Sequence, residues 1–134
     1  MKKVAGLWID HRKAVIVIVG EEKEEIRLII SKIEKQLGRS GGVRSTTPFE
    51  SQQVPADDSR ERKFTGLLKI YYDAVIACIH DTEAILIFGP GEAKGELKEH
   101  LERHHLGERI VAIETVDKMT DRQIAAKVRK RFLI

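Results

Sequence analysis

Residues Ala14–Val19 read "AVIVIV", six consecutive apolar side chains, five of them β-branched. Successive side chains of a strand point to opposite faces, so a run without a polar member is buried on both sides. A chain holding such a strand must build cover above and below it. "VAGLWI" (Val4–Ile9) comes just before, separated by the polar "DHRK", and the two runs read as a β-hairpin. "GEEK" (Gly20–Lys23) is a turn. "EEIRLIISKIEK" (Glu24–Lys35) then alternates at Ile26, Leu28 and Ile30, with Ile33 out of phase. It predicts a long third strand with a bulge near Ser31; a helix competes, because Ile26, Ile29, Ile30 and Ile33 also fit helical spacing.

From Gln36 to about Asp58 no period is sustained, and Gly, Ser, Thr, Pro and Gln dominate. The stretch reads as a loop, and structureless connections of that length in a compact domain tend to be functional or disordered. From about Ser59 the pattern turns helical, with Phe64, Leu67, Leu68, Tyr71, Tyr72, Val75 and Ile79 on one stripe. "AILIFGPG" (Ala84–Gly91) is a buried strand closed by a turn, and "EAKGELKEHLERHH" is the next helix, with Leu97 and Leu101 facing in. "RIVAIET" (Arg109–Thr115) is a fifth strand. Thr120 opens a last helix with a capping-box pattern to Gln123 and an apolar edge of Ile124, Val128 and Phe132. The order β-β-β-loop-α-β-α-β-α predicts an α/β fold: a three-layer mixed sheet with helices on its faces, of ribonuclease-H-like outline.

At 134 residues the chain has the size of one domain, read here as 1–134 with the loop at about 36–58. Its 42% hydrophobic content supports a core and argues against global disorder. The net charge of +3 is mild, 24 basic residues against 21 acidic, so clustering matters more than the total. Lys32, Lys35, Arg39 and Arg44 form one basic zone; Arg122, Lys127, Arg129, Lys130 and Arg131 form another. With one cysteine, Cys78, no internal disulfide is possible, and a reducing compartment, the cytoplasm, is the expected setting. No run approaches the ~18 apolar residues of a membrane helix; no membrane partner is expected.

Inside the aperiodic stretch lies "KQLGRSGGVRS" (Lys35–Ser45). Paired glycines, Gly41 and Gly42, let the backbone approach a phosphate or base closely, and Arg39 and Arg44 carry forked donors suited to phosphates. The plainer alternative is a solvated linker. "GPGEAK" places Gly89, Gly91 and Lys94 between a strand and a helix, where amides and the helix dipole hold anions. It lacks the spacing of a nucleotide-binding P-loop, and the same residues serve simply to turn the chain. His100 and His104 have the i, i+4 spacing that shares a metal, with Glu96 on the same face, but histidines near a helix C-terminus also suit the dipole. No metal or other cofactor is expected. Asp10 at the end of the first strand, with Glu114 and Asp117 as companions, would suit a metal-dependent nuclease or phosphoesterase. Its blander reading is a turn aspartate bonding local backbone donors. Cys78 reads as a small core residue, and Trp8, Tyr71 and Tyr72 as core or half-buried anchors.

"GLWIDHRKAVIVIV", "ILIFGPGEAKGELKEHLERHH" and "AIETVDKMTDRQIAAKVRKRF" together resemble small bacterial proteins often labelled translational-machinery proteins. These are in turn similar to the middle domain of the archaeal and eukaryotic class I release factor and of Pelota. The resemblance runs from about Val4 to Phe132, and its most specific part is Gly89, Pro90, Gly91, Lys94 and Leu97. It implies that the loop after the third strand stands where the release factor carries a Gly-Gly-Gln tip that promotes peptidyl-tRNA hydrolysis. Gly41 and Gly42 map onto the tip glycines, with Lys35, Arg39 and Arg44 as basic neighbours. Val43 stands where the glutamine would be, which removes the clearest catalytic group. The implied function is a translation-associated factor of release, rescue or dormancy type, binding ribosomal RNA or tRNA, not DNA, without efficient ester hydrolysis. A nuclease built on Asp10, or a non-catalytic homodimeric adaptor pairing through a strand edge or helix face, are the alternatives.

Overall fold

The structure is a computed structural model that describes residues 3–32 and 56–134, with side chains for 3–32 and 62–134. Its elements are β1 (Val4–Ile9), β2 (Lys13–Val19), β3 (Glu24–Ile30), α1 (Ala56–Ile79), β4 (Ala84–Gly89), α2 (Ala93–Arg103), β5 (Ile110–Thr115) and α3 (Asp121–Phe132). A short 3-10 turn, Gly107–Arg109, precedes β5. The five strands form one sheet in the order β3-β2-β1-β4-β5. β2 is antiparallel to both β1 and β3, whereas β4 is parallel to β1 and to β5. β1, β3, β4 and β5 therefore run the same way, and their carboxyl ends share one edge of the sheet.

"AVIVIV" falls inside β2 and is buried throughout, as its composition requires. Ala14, Ile16 and Ile18 join a core with Tyr71, Tyr72, Val75 and Ile79 of α1 and Leu97 and Leu101 of α2. Val15, Val17 and Val19 face the other way, into a second core with Ile124, Ala125 and Val128 of α3. Helices thus cover both faces, and the three-layer α/β arrangement is the observed one. Each fully buried Leu or Ile contributes roughly 1.5–3 kcal/mol relative to exposure. α3 settles close on β1 because residue 6 is glycine: a Cβ there would stand 2.3 Å from Val128 Cγ2. Its start is the predicted capping box, with Gln123 N donating to Thr120 Oγ1 and Thr120 N to Gln123 Oε1.

Expectations for α1, β3 and α2 are corrected. α1 begins at Ala56, so residues 56–58 are helical and not loop; Pro55 directly before it and Asp57 and Asp58 in its first turn are start signals that the polar composition concealed. β3 ends at Ile30 and pairs with β2 through seven consecutive positions without a bulge. Ser31 instead turns to the β1–β2 connection, its N donating to Arg12 O and its Oγ to His11 O, and Lys32 takes a positive φ of 60°. α2 stops at Arg103, leaving His104 as its cap and His105 beyond it with φ 63°. The alternation at Ile26, Leu28 and Ile30 is real, but these side chains are exposed, because they lie on the α3 side of the sheet beyond the β2 residues that α3 buries. Cys78 is half-buried and packs against the first core, and among the described residues no helix is long and apolar enough to cross a membrane.

Candidate functional site

At the carboxyl edge of the sheet, polar groups of the β1–β2 turn, α1 and α2 converge. Asp10, the first residue after β1, accepts from Arg12 N and Lys13 N through Oδ1, both at 2.8 Å. Its own backbone oxygen accepts from the Tyr71 hydroxyl at 2.8 Å. Next in the chain, His11 Nε2 lies 2.9 Å from Glu96 Oε1 in the first turns of α2, and the same oxygen accepts from the Tyr72 hydroxyl at 2.6 Å. The His11 ring also meets Phe64 of α1 edge-on. Burial is the main reason both tyrosine phenols are pushed far above their ordinary range, with the Asp10 charge adding at Tyr71 and Glu96 adding at Tyr72. Both hydroxyls therefore remain neutral donors at any working pH.

The same turn holds the chain just before the segment 33–55 and the middle of the helix that follows it. Ser31, two residues before it, is held on His11 and Arg12; Phe64 and Tyr71, in the helix that follows it, meet His11 and Asp10 of the same turn. Lys35, Arg39, Gly41, Gly42 and Arg44 all lie outside the described residues.

The other predicted groups fall into distinct places. Gly89 is fixed by packing, since a Cβ there would stand 2.1 Å from the Ile9 carbonyl oxygen, whereas Gly91 has open space around it. Lys94 Nζ donates to the Gly91 carbonyl oxygen, so its ammonium is turned back onto the turn. Asp10 spends its carboxylate on two backbone donors. Glu114 pairs with Lys127 Nζ at 2.7 Å, and Asp117 meets Trp8 only through its backbone oxygen, which accepts from Nε1 at 3.0 Å. Among the described residues no three His, Cys, Asp or Glu side chains come together as a metal would need.

Glu96, His100 and His104 do share a groove of about 400 Å³ between α1 and α2, which Tyr72 and Asp73 also line. There the His100 ring packs against Tyr72 at a tilt of 50° with centroids 5.0 Å apart, and His104 Nε2 sits 3.8 Å from Asp73 Oδ1. Partial burial, then Arg103, lower the His100 pKa, with His104 and Lys69 adding to the effect and Asp73 opposing it. Sequence reasoning named Tyr72 and Glu96 separately and missed their union with His11; the only signal was Glu96 recurring on the His100 face.

In the basic C-terminal zone, Lys127 is paired with Glu114, and Arg129 grips Glu24 through two bonds of 2.8 and 3.0 Å. Arg122, Lys130 and Arg131 are exposed without an ion pair among the described residues. Glu24 opens β3, while the segment 33–55 leaves from the other end of that strand. The end of α3 and the base of the segment thus lie at opposite edges of the sheet.

No protein-family model matches the chain, and no curated protein matches it. The shape of the fold does find counterparts among solved structures. The archaeal translation termination factor aRF1 superposes with a TM-score of 0.54 at 12% identity, covering 98% of this chain and 39% of that one. Archaeoglobus fulgidus Pelota gives 0.54 at 14% identity, covering 96% of this chain and 31% of that one. The chain spans little more than a third of the length of these proteins at most. The likeness is therefore one of fold, to a single portion of aRF1 and Pelota.

Proposed function

We propose that this chain is a translation-associated factor of release, rescue or dormancy type that binds ribosomal RNA or tRNA through the segment between β3 and α1. The observation that carries the reading is the fold match to aRF1, a translation termination factor, over 98% of the chain. The segment 33–55 supplies the chemistry: Arg39 and Arg44 as forked phosphate donors, Lys35 as a further charge, and Gly41 and Gly42 for close backbone approach. Val43 offers neither a donor nor an acceptor, so the segment binds without efficient hydrolysis of the peptidyl-tRNA ester. The knot of Asp10, His11, Ser31, Tyr72 and Glu96 serves as its pedestal.

Ribosome co-sedimentation across a salt series tests this. Association at low salt should weaken linearly in log–log form, and the double change Arg39→Ala/Arg44→Ala should reduce the slope by about two phosphate contacts. Absence of association at low salt, or a double variant with unchanged binding and slope, would overturn the reading.

A further inference from the structure

β3 ends the sheet, and its outer edge carries an apolar stripe. Ile26, Leu28 and Ile30 are 48%, 57% and 50% exposed. They stand opposite Val17, Val15 and Lys13 of β2, so they extend the surface whose inner part α3 buries. Natural edge strands are usually blunted by charge, proline or a bulge. Here the seven pairings to β2 are regular, and the one basic residue of the strand, Arg27, sits on the opposite face and is held by Glu25 at 3.0 Å. No described strand lies beyond it.

We propose that β3 pairs antiparallel with β3 of a second copy, about a dyad at Leu28, joining two five-stranded sheets into one. Complementarity of the strand with itself selects both the occupant and the register. Directly opposed residues of an antiparallel pair share a face, so a dyad normal to the sheet passes midway between the two copies of one residue. A dyad at Arg27 sets Arg27 against its own copy, which like-charge repulsion disfavours. One at Ile26 sets Leu28 against Glu24, and one at Ile29 sets Ile26 against Lys32. The dyad at Leu28 sets Leu28 on Leu28 and Ile26 on Ile30 twice over, a continuous patch of six apolar side chains. It also brings Lys32, just past the strand, to the end of the partner strand that carries Glu24. Arg27 then lies opposite Ile29 with no like charge facing it. This pairing is independent of the RNA-binding reading, since it uses the face and edge of β3 and none of residues 33–55.

Sedimentation velocity on the full chain over a concentration series should show a monomer–dimer equilibrium. Leu28→Lys, at an exposed position, should raise the dissociation constant on the order of tenfold or more while leaving the circular dichroism spectrum unchanged. In a Cys78→Ala background, Leu28→Cys should form an intermolecular disulfide under mild oxidation, because the two β-carbons face each other across the dyad. Arg27→Cys and Ile26→Cys should cross-link far less. A monomer at every concentration, whether because the edge takes a strand of another protein or part of residues 33–55, would overturn the proposal. So would a dimer indifferent to Leu28→Lys, or preferential cross-linking at Ile26 or Arg27. Ribosome co-sedimentation of Leu28→Lys stays at the wild-type level if the two readings are separate, and its loss would place β3 in the RNA-binding surface instead.

Discussion

The Tyr72 hydroxyl donates to Glu96 Oε1 at 2.6 Å, with the Tyr72 ring 1% exposed and the carboxylate at the rim of the α1–α2 groove. It is a bond from a buried neutral donor to a side chain that also meets His11, and it fastens α1 to α2 beside the carboxyl end of β1. Hydrogen bonds to charged groups contribute about 1.5–3 kcal/mol. Tyr72→Phe should therefore lower the unfolding free energy by about 2 kcal/mol in urea titration. Glu96→Ala should cost more, because it strands the buried hydroxyl as well as removing the His11 contact.

Gly89 and Gly91 are separated by one proline and should behave oppositely. A methyl group at residue 89 meets the Ile9 carbonyl oxygen at 2.1 Å, so Gly89→Ala forces β1 and β4 apart; overpacking against backbone costs about 3 kcal/mol or fails to fold. Gly91→Ala meets open space and should move the melting temperature by no more than about 2 °C. Gly6→Ala belongs with the first, since Val128 is fully buried and has nowhere to retreat. Thermal unfolding of the three variants gives the ranking.

Arg129 lowers the Glu24 carboxyl below its ordinary 4.5, chiefly by hydrogen bonding, with desolvation the next effect and opposing it, and the Arg129 charge adding a smaller lowering. A depressed carboxyl pKa contributes stability that is present above 4.5 and lost as pH falls through the folded value. Arg129→Met should consequently melt earlier than wild type at pH 7, and the gap should close as the pH is taken below 4. A gap that persists undiminished in acid would assign the effect to packing.

His100 titrates in the opposite half of the pH range. Partial burial against Tyr72 favours its neutral form and sets its pKa below the ordinary 6.5. Folding stability linked to this group is complete above 6.5 and declines as the pH falls from there toward the folded value, where the unfolded chain binds the proton and the folded one resists it. Melting temperatures between pH 8 and pH 5 should fall less steeply in His100→Gln than in wild type.

How much of this was readable from the residues alone depended on the range over which each signal acts. "AVIVIV" announced a doubly covered strand because continuous apolar character has few other outlets, and Thr120 and Gln123 announced a helix start because the two ends of a capping box are three residues apart. The face of β3 was illegible: alternation marks two faces but not which of them a helix covers, and α3 leaves Ile26, Leu28 and Ile30 exposed. The start of α1 was hidden because Asp, Ser and Pro signal both a helix amino terminus and a loop. The Tyr72–Glu96–His11 union joins partners 24 and 85 residues apart in sequence, and no local pattern records such a meeting. Asp10 was ambiguous for a different reason: its local bonds to Arg12 and Lys13 and a catalytic role call for the same residue.

β1 belongs to two pairings of very different range, to β2 across a three-residue turn and to β4 through Val4 opposite Ala84. The first forms locally; the second must bring together chain positions with all of β2, β3, α1 and residues 33–55 between them. The entropy of such a closure grows only logarithmically with length, roughly 0.6 kcal/mol for each doubling. Residues inserted into or deleted from 33–55 therefore change the closure cost by a fraction of that, and every strand register survives. The scaffold is in this sense indifferent to what its longest connection says, so contact specificity there is open to change by insertion, deletion or replacement while the same sheet goes on folding beneath it.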